Sequence, residues 1–265
     1  MTKLGQHFLT PTAGGEKIID EIIDTADLKT DDVVLEVGPG KGILTEALTK
    51  KVDKVIAIEK DSGLVEFLKE KFTDTENLKI IHDDILEFNT NEHPSLVAKY
   101  KVVANIPYYI TSKFLRQFLT AENPPESMIL MIQKEVAERI VARNGKESVL
   151  STSVRAYGKP KIIKKVPAGC FSPPPKVDSA IIKISNISKD FFKNEGYPIS
   201  FKIDEKKFFD LVKKGFSSKR KMLRNNLKLN EKQLKLLKKH GISGQVRAEK
   251  LSLDDWKKLY NLLIA

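Results

Sequence analysis

Four consecutive residues, Asn105-Ile106-Pro107-Tyr108, carry groups that could hold an aromatic amine and prepare it to react. The exocyclic amine of adenine is a poor nucleophile, because its lone pair is delocalised into the ring. Two acceptors, the Asn105 side-chain oxygen and the carbonyl of Ile106 or Pro107, could hold both hydrogens and aim the lone pair at an electrophile. Tyr108 could stack on the base. The alternative is a plain turn, since Asn and Pro are common turn residues.

The segment Glu36-Val37-Gly38-Pro39-Gly40-Lys41-Gly42 has the composition of a loop that binds a nucleotide-like cofactor. Its glycines would let the backbone approach the ligand without an intervening side chain. The spacing is G-x-G-x-G, whereas G-x-G-x-x-G is the spacing that cradles a dinucleotide pyrophosphate. S-adenosylmethionine has no phosphate and suits this loop better, although the loop alone leaves a nicotinamide cofactor open.

Acidic residues follow two further apolar segments. Glu59 comes 21 residues after Gly38 and could accept hydrogen bonds from both ribose hydroxyls of the cofactor, with Lys60 beside it. Asp84 is the candidate acceptor for the cofactor adenine amine, and Ile85 would lie against the ring. For Asp84 a helix cap or a turn is the alternative.

Short apolar runs place these motifs at the ends of strands. Strands are predicted over residues 33–37, 55–58, 78–81, 101–104 and 128–132, with helices over 43–50 and 112–119. Strands that alternate with helices favour a parallel sheet covered on both faces. Two later runs, 162–166 and 177–184, have no helix between them and predict an antiparallel pair at one edge.

The apolar spacing becomes helical from about Phe201 onward, with Ser252 as a predicted N-cap. The predicted helix faces are Phe208, Leu211, Val212 and Phe216, then Leu253, Trp256, Leu259, Tyr260 and Leu263. The polar segment 185–197 separates this part from the rest. We therefore predict a cofactor-binding catalytic domain over residues 1–187 and a basic helical domain over residues 198–265.

The net charge of +11 is concentrated in the last quarter of the chain. Residues 200–265 hold 18 basic and 7 acidic side chains, whereas residues 1–199 hold 28 of each. A neutral body with a basic appendage indicates an enzyme core joined to a module that binds a polyanion. The candidate phosphate contacts are Lys219, Arg220, Lys221 and Arg224. A solvated helix face is the alternative for these residues.

Several classes of protein are excluded by composition. Cys170 is the only cysteine, so neither an intrachain disulfide nor a cysteine zinc cluster can form, and we expect no metal. There is no run of about 18 apolar residues and no signal-peptide core in the first twenty residues. We expect a cytoplasmic monomer that has no membrane partner.

Six stretches, in order, resemble the KsgA family of small-subunit (16S) ribosomal RNA adenine dimethyltransferases, and together they extend along the whole chain. They are residues 5–9 (GQHFL), 36–40 (EVGPG), 105–108 (NIPY), 171–180 (FSPPPKVDSA), 220–227 (RKMLRNNL) and 247–249 (RAE). The resemblance implies a Rossmann-like class I methyltransferase fold, with a mostly parallel seven-stranded sheet and a small C-terminal all-helical domain.

The resemblance also implies a cofactor, S-adenosyl-L-methionine, and a set of contacts to it. These are His7, Leu9, Gly38, Glu59, Asp84 and Asn105, to which Gly40, Lys60 and Ile85 are added as neighbours. By the same analogy Phe171 would close the base pocket opposite Tyr108. This chain has His7 where the family more often has Asn, and Asp83 where Gly often precedes the acid, so Asp83 competes with Asp84 as the adenine contact.

The implied reaction is N6,N6-dimethylation of two adjacent adenosines in a 3′-terminal hairpin loop of 16S ribosomal RNA, in a precursor of the 30S subunit. The nearest alternative is the related large-subunit (23S) enzyme of the macrolide-resistance type, which segments 171–180 and 220–227 disfavour. A mainly non-catalytic ribosome-assembly factor is a second alternative. A DNA adenine methyltransferase would more typically have Asp at position 105, and a dehydrogenase would need a hydride-transfer site, so we expect neither.

Overall fold

The computed structural model describes residues 7–10, 14–97, 99–193 and 202–264, of which Val97 is described by its backbone alone. The chain forms two compact units. One consists of Met1–Ala137 with Lys159–Ile187, and the other of Glu138–Gly158 with Ser188–Ala265. Part of the family-like stretch 5–9, namely Gly5 and Gln6, lies outside the described residues.

The first unit is built on a seven-stranded sheet. Its strands are β2 (Val33–Val37), β3 (Lys54–Glu59), β4 (Leu78–His82), β5 (Lys101–Asn105), β6 (Ser127–Gln133), β7 (Lys159–Val166) and β9 (Ser179–Ser185). Their order is β4-β3-β2-β5-β6-β9-β7. The first five strands are parallel, and β9 is antiparallel to both β6 and β7. The parallel sheet with an antiparallel pair at one edge confirms the sequence prediction.

Helices cover this sheet, which explains why its central strands are continuously apolar. They are α1 (Gly15–Ala26), α2 (Ile43–Thr49), α3 (Ser62–Lys71), α4 (Pro94–Val97), α5 (Thr111–Thr120) and the start of α6 (Lys134–Ile140). α1 packs on β5, β6 and β9 and contributes Ile18, Ile19 and Ile22 to a core that also holds Val34 and Val103. Helices α2 and α5 begin and end within one residue of their predicted limits.

A second, two-stranded sheet was not predicted. It joins β1 (Phe8–Leu9) to β8 (Phe171–Ser172), with Leu9 opposite Phe171. Each strand has only two residues, so neither has a periodicity that could be detected in the sequence, and the pairing spans more than half of the chain. This small sheet brings the N-terminal segment and Phe171 to the same place.

The second unit is helical. It contains α7 (Val149–Tyr157), α8 (Glu205–Gly215), α9 (Leu223–Leu227), α10 (Glu231–Lys239) and α11 (Leu253–Leu263). Ser252 caps α11 by accepting a hydrogen bond from the Asp255 N–H at 3.1 Å, as predicted. A side chain at Gly215 would clash with the Trp256 ring, so close packing of α8 against α11 requires glycine there.

Residues 138–158, which the prediction includes in the first domain, belong to this helical unit. Their packing explains the difference: the Tyr157 ring stacks on Phe209, with centroids 5.9 Å apart, and its hydroxyl donates to Glu205 Oε2 at 2.8 Å. The functional roles of the two predicted domains stay predictions. No helix within the described ranges is long and apolar enough to cross a membrane.

Candidate active site

A cavity of about 220 Å³ opens at the carboxyl ends of the parallel strands. Ligands of open α/β sheets bind at this edge, since the loops that follow adjacent strands meet there. Eleven of the predicted site residues line it: His7, Gly38, Gly40, Glu59, Lys60, Asp84, Ile85, Asn105, Pro107, Tyr108 and Phe171. Leu9 instead lines a smaller neighbouring cavity, together with Glu36 and Gly38.

The glycine loop between β2 and α2 depends on backbone conformations that favour glycine. Gly38, Gly40 and Gly42 have φ angles of 68°, 57° and 76°. A Cβ at Gly40 would also lie 2.8 Å from the Phe8 ring. The loop can therefore follow a ligand closely only while these positions lack side chains.

Glu59, at the end of β3, is buried and is fixed by three backbone N–H donors. Its Oε1 accepts from Lys60 N at 2.9 Å and from Asp61 N at 3.0 Å, while Oε2 accepts from Gly40 N at 3.2 Å. The last bond ties the carboxylate to the glycine loop. A carboxylate held in this way keeps lone pairs that can accept from further hydroxyls.

Asp84 forms an ion pair with Lys60, in which Nζ lies 2.6 Å from Oδ2. Its Oδ1 accepts from Leu86 N at 3.0 Å. The hydrogen bond from Lys60, and after it the one from Leu86 N, hold the pKa of Asp84 below its usual value. Asp83 lines the same cavity and accepts from Asp84 N at 2.7 Å. Both acids remain at the adenine end of the predicted cofactor site.

Gln117 on α5 holds the loop after β4, which carries Asp84 and Ile85. Its Nε2 donates to the carbonyls of Ile85 and Phe88, at 2.8 Å and 3.0 Å. Ile85 is buried and lines the cavity. The loop after β4 is thus held by a side chain from an element that comes later in the chain.

Asn105 ends β5, and its amide is oriented by the N-terminal segment. Nδ2 donates to the His7 carbonyl over a long 3.4 Å hydrogen bond, so Oδ1 is left as an acceptor at the cavity. The His7 ring lies 2.8 Å from the Pro173 carbonyl through Nδ1, which must therefore carry the proton. His7 also stacks on Tyr108, with ring centroids 6.2 Å apart and planes 26° apart.

Tyr108 is half-buried, and its hydroxyl lies 2.7 Å from that of Ser179. Burial raises the pKa of Tyr108 and the Ser179 hydrogen bond lowers it, with burial the larger effect. Phe171 is 4% exposed and lines the same cavity. The cavity therefore has aromatic rings where a planar base would need stacking surfaces.

Glu36 is a site residue that the sequence analysis left without a role. It is fully buried in β2, and neither carboxyl oxygen has a hydrogen-bond partner among the described residues. Burial raises the pKa of Glu36 to about 8. The Thr45 hydroxyl lowers it, although no hydrogen bond of normal geometry joins them, and the Glu59 carboxylate raises it further. A buried acid of this kind is neutral at low and neutral pH.

The four candidate phosphate contacts lie in the helical unit and are all exposed. Lys219, Arg220 and Lys221 occupy a turn between α8 and α9, and only Arg224 is in a helix. The alternative interpretation of these residues as a solvated helix face is therefore wrong for Lys219, Arg220 and Lys221. The turn is held by the buried Asn226, whose Nδ2 donates to Gly215 O at 2.6 Å and to Ser218 O at 3.0 Å.

Sequence reasoning missed the residues that support the site. Ser179 lies within the family-like stretch 171–180, so its neighbourhood was noticed but its partnership with Tyr108 was not. Gln117 carries no local signal, since a polar residue on an amphipathic helix is ordinary. The only feature of the sequence that could have indicated a role for Phe8 is its position next to His7.

Comparisons with known proteins find relatives along nearly the whole chain. The family described as "Ribosomal RNA adenine dimethylase" matches residues 1–265. The chain is 46% identical to "Ribosomal RNA small subunit methyltransferase A" of a Dehalococcoides mccartyi strain, over 97% of this chain and 86% of that protein. It is 37% identical to the protein of the same name from Fusobacterium nucleatum, over 98% and 96%.

Two solved structures are similar along nearly the whole chain. A dimethyladenosine transferase from Plasmodium falciparum has a TM-score of 0.78 and 28% identity, over 96% of this chain and 98% of that chain. The 23S rRNA methyltransferase ErmE has a TM-score of 0.75 and 26% identity, over 97% and 100%. These similarities extend over both compact units and include the seven-stranded, mostly parallel sheet.

Proposed function

Because the chain belongs to the ribosomal RNA adenine dimethylase family, we propose that it transfers methyl groups from S-adenosyl-L-methionine to two adjacent adenosines of 16S ribosomal RNA. The product is N6,N6-dimethyladenosine in a 3′-terminal hairpin loop of a 30S precursor. The observation that carries the proposal is the position of Asn105-Ile106-Pro107-Tyr108, which lines the same cavity as the glycine loop and Glu59.

The cavity residues fit the nucleoside part of this cofactor. Position 40 has no room for a side chain, because the Phe8 ring is too close. The Glu59 carboxylate is fixed by the Gly40 N–H and keeps lone pairs that could accept from the ribose hydroxyls. Asp84 would accept from the adenine amine while it remains paired with Lys60, and Ile85 would pack on the ring. When bound, S-adenosylmethionine supplies an electrophilic methyl group on a sulfonium sulfur.

The amine would be prepared by acceptors from this chain. Asn105 Oδ1 would accept one amine hydrogen and the Ile106 carbonyl the other. We prefer Ile106, because the Pro107 carbonyl already accepts from Ile110 N at 3.2 Å. Held in this way, the nitrogen directs its lone pair along the cavity. The contribution to rate is mainly positioning.

Tyr108 and Phe171 would hold the plane of the base between them. The amine nitrogen would form a bond to the methyl carbon while the bond between that carbon and the sulfonium sulfur breaks, which leaves S-adenosylhomocysteine. The nitrogen would also lose a proton, which can leave to solvent after the transfer, so no strong general base is required. A second transfer requires that the pocket accept a monomethylated amine and that the cofactor exchange between transfers.

Docking would use the exposed basic residues of the helical unit. Lys219, Arg220, Lys221 and Arg224 would contact phosphates, and the target base would have to leave its stack to reach Asn105. We propose a cytoplasmic monomer as the acting form. The 23S rRNA methyltransferase ErmE shares the fold, but the curated relatives at higher identity carry the small-subunit name.

The direct test is transfer of a labelled methyl group to small subunits that lack the modification, to large subunits, and to DNA, followed by mapping of the modified base. We expect label in two adjacent adenosines of the small subunit alone. Label in the large subunit would show the 23S alternative, and binding to small subunits without any transfer would show an assembly factor.

A further inference from the structure

Tyr109 has no role in the chemistry above, yet its position is unusual. It is 68% exposed, more than any other large hydrophobic side chain in the described ranges, and it also lines the cavity. Scattered exposed apolar residues need no explanation. An exposed aromatic ring at the rim of a cavity that is suited to a nucleobase has a specific chemical use, because every base has a face that can stack.

The local backbone points Tyr109 outward. Tyr108–Ile110 form a 3-10 turn, in which successive side chains point about 120° apart. Tyr108 is anchored to Ser179 and Ile110 is only 6% exposed, so the residue between them must face solvent. The turn is stabilised at its end, where the Thr111 hydroxyl donates to the Tyr108 carbonyl at 3.1 Å.

Two lysines lie on the same segments as the ring. Lys60 lines the cavity together with Tyr109, with its ammonium paired to Asp84, and Lys113 is exposed on α5, four residues after Tyr109. A ring beside basic side chains is the arrangement with which proteins bind single-stranded nucleic acid: bases stack on the ring and phosphates lie near the cations.

We propose that Tyr109 is a stacking platform for the base next to the target adenosine. The inference rests on the proposed function, since it takes an unstacked RNA loop as the ligand. When one adenosine occupies the cavity, its neighbour is left outside, at the rim where Tyr109 presents its ring. Tyr109 thereby selects unpaired, flexible RNA over paired RNA and holds the strand during the transfer.

The test measures binding of a labelled oligoadenylate of about ten nucleotides at low salt, with the protein saturated by S-adenosylhomocysteine. Tyr109→Ala removes the ring, Tyr109→Phe keeps the ring without the hydroxyl, and Phe67→Ala is the matched control. Phe67 is also an exposed aromatic residue, at 44%, but it lies on α3 and does not line the cavity.

We expect Tyr109→Ala to raise the Kd for oligoadenylate roughly 5- to 100-fold, as loss of one base stack does. Tyr109→Phe and Phe67→Ala should stay near wild type, and the affinity for S-adenosylhomocysteine should be unchanged in all variants. An unchanged Kd in Tyr109→Ala, or no oligoadenylate binding by the wild type, would overturn the proposal. The proposal would also be overturned if Tyr109→Ala lost affinity for S-adenosylhomocysteine alone, because the ring would then pack on the cofactor.

A parallel assay of methyl transfer to unmodified small subunits separates this proposal from the proposed function. Wild-type protein that binds oligoadenylate through Tyr109 but transfers no methyl would contradict the function and leave the stacking platform standing. Normal transfer by the wild type, together with an equal KM for subunits in Tyr109→Ala, would contradict the platform alone.

Discussion

The hydroxyl groups of Tyr108 and Ser179 lie 2.7 Å apart, although 71 residues separate them in the chain. Tyr108 follows β5, whereas Ser179 begins β9, the strand that runs antiparallel to β6. The antiparallel edge of the sheet therefore orients an aromatic ring of the site. This gives β9 a role in the site besides completing the sheet.

Substitutions at Tyr108 should separate stacking from anchoring. Tyr108→Ala removes the stacking face, and we expect kcat/KM for methyl transfer to fall by roughly 5- to 100-fold or more. Tyr108→Phe keeps the ring and loses one hydrogen bond, which corresponds to about a 2- to 10-fold loss. Steady-state transfer to small subunits measures both effects.

Substitution of Ser179 tests whether its hydroxyl anchors Tyr108. Ser179→Ala should match Tyr108→Phe in size, and the double variant should be no worse than either one, because both changes remove the same hydrogen bond. Fully additive losses would mean that the two hydroxyls act independently, contrary to the geometry.

Asn105 is expected to act through its side-chain oxygen. Asn105→Ala should lower kcat by at least about a hundredfold, because the positioning of the amine is lost, while binding of small subunits is retained, because Asn105 is not one of the proposed phosphate contacts. Asn105→Asp is the sharper variant. It keeps an acceptor but turns a second oxygen toward the His7 carbonyl, which replaces a hydrogen bond by repulsion. Survival of methylation in Asn105→Ala would remove this residue from the mechanism.

Glu36 makes a prediction about stability and pH. The pKa of its carboxyl is about 8 in the folded protein, against an ordinary value of 4.5. The folded state therefore keeps a proton that the unfolded state releases, and stability falls as pH rises between these values. Glu36→Gln cannot ionise. The free energy of unfolding of Glu36→Gln minus that of the wild type should therefore increase by on the order of 3 kcal/mol from pH 5 to pH 8.

Urea unfolding at several pH values measures this difference. Glu66→Gln is the matched control, because Glu66 is exposed on α3 and its substitution should leave the pH profile parallel to that of the wild type. A profile for Glu36→Gln that is parallel to the wild type would show that the buried carboxyl does not hold its proton.

The exposed basic residues of the turn and of α9 should control affinity for RNA through their charge. Reversal of charge at Arg220 and Arg224 should weaken binding to small subunits and reduce the slope of log K against log salt by about one for each phosphate that is no longer neutralised. Reversal at Lys238 and Lys239, which are exposed on α10 in the same unit, tests for a general charge effect. Equal effects of both pairs would contradict a specific role for Arg220 and Arg224.

Asn226 should matter for the shape of this turn. Its amide satisfies the carbonyls of Gly215 and Ser218 from a buried position, so Asn226→Ala should cost about 1–3 kcal/mol of stability. If Asn226 also positions Lys219–Lys221, binding of small subunits should weaken under conditions where circular dichroism shows the variant to be fully folded. Full affinity in the folded variant would limit Asn226 to a structural role.

Much of this protein is readable in its sequence because the signals are local. Apolar runs such as Val33–Val37 are long enough to predict strands, and Ser252 marks the start of a helix by its own hydrogen-bonding capacity. Gly38, Glu59, Asp84 and Asn105 each follow such a run. Because parallel strands end at one edge, their meeting in a single cavity could also be predicted.

Other features depend on pairs of residues that no local pattern connects. The two-residue strands β1 and β8 pair across the chain, and Tyr108 meets Ser179 only because β9 enters the sheet antiparallel to β6. The segment 138–158 joins the helical unit through the packing of Tyr157. The sequence by itself determined the glycine loop, the motif Asn105–Tyr108 and the basic tail, since each is a short run of residues with its own chemistry. Only the tertiary structure decided how Asn105 and Tyr108 are oriented, that Glu36 is buried without a partner among the described residues, and that Tyr109 faces solvent, because burial and hydrogen-bond partners are properties of packed neighbours.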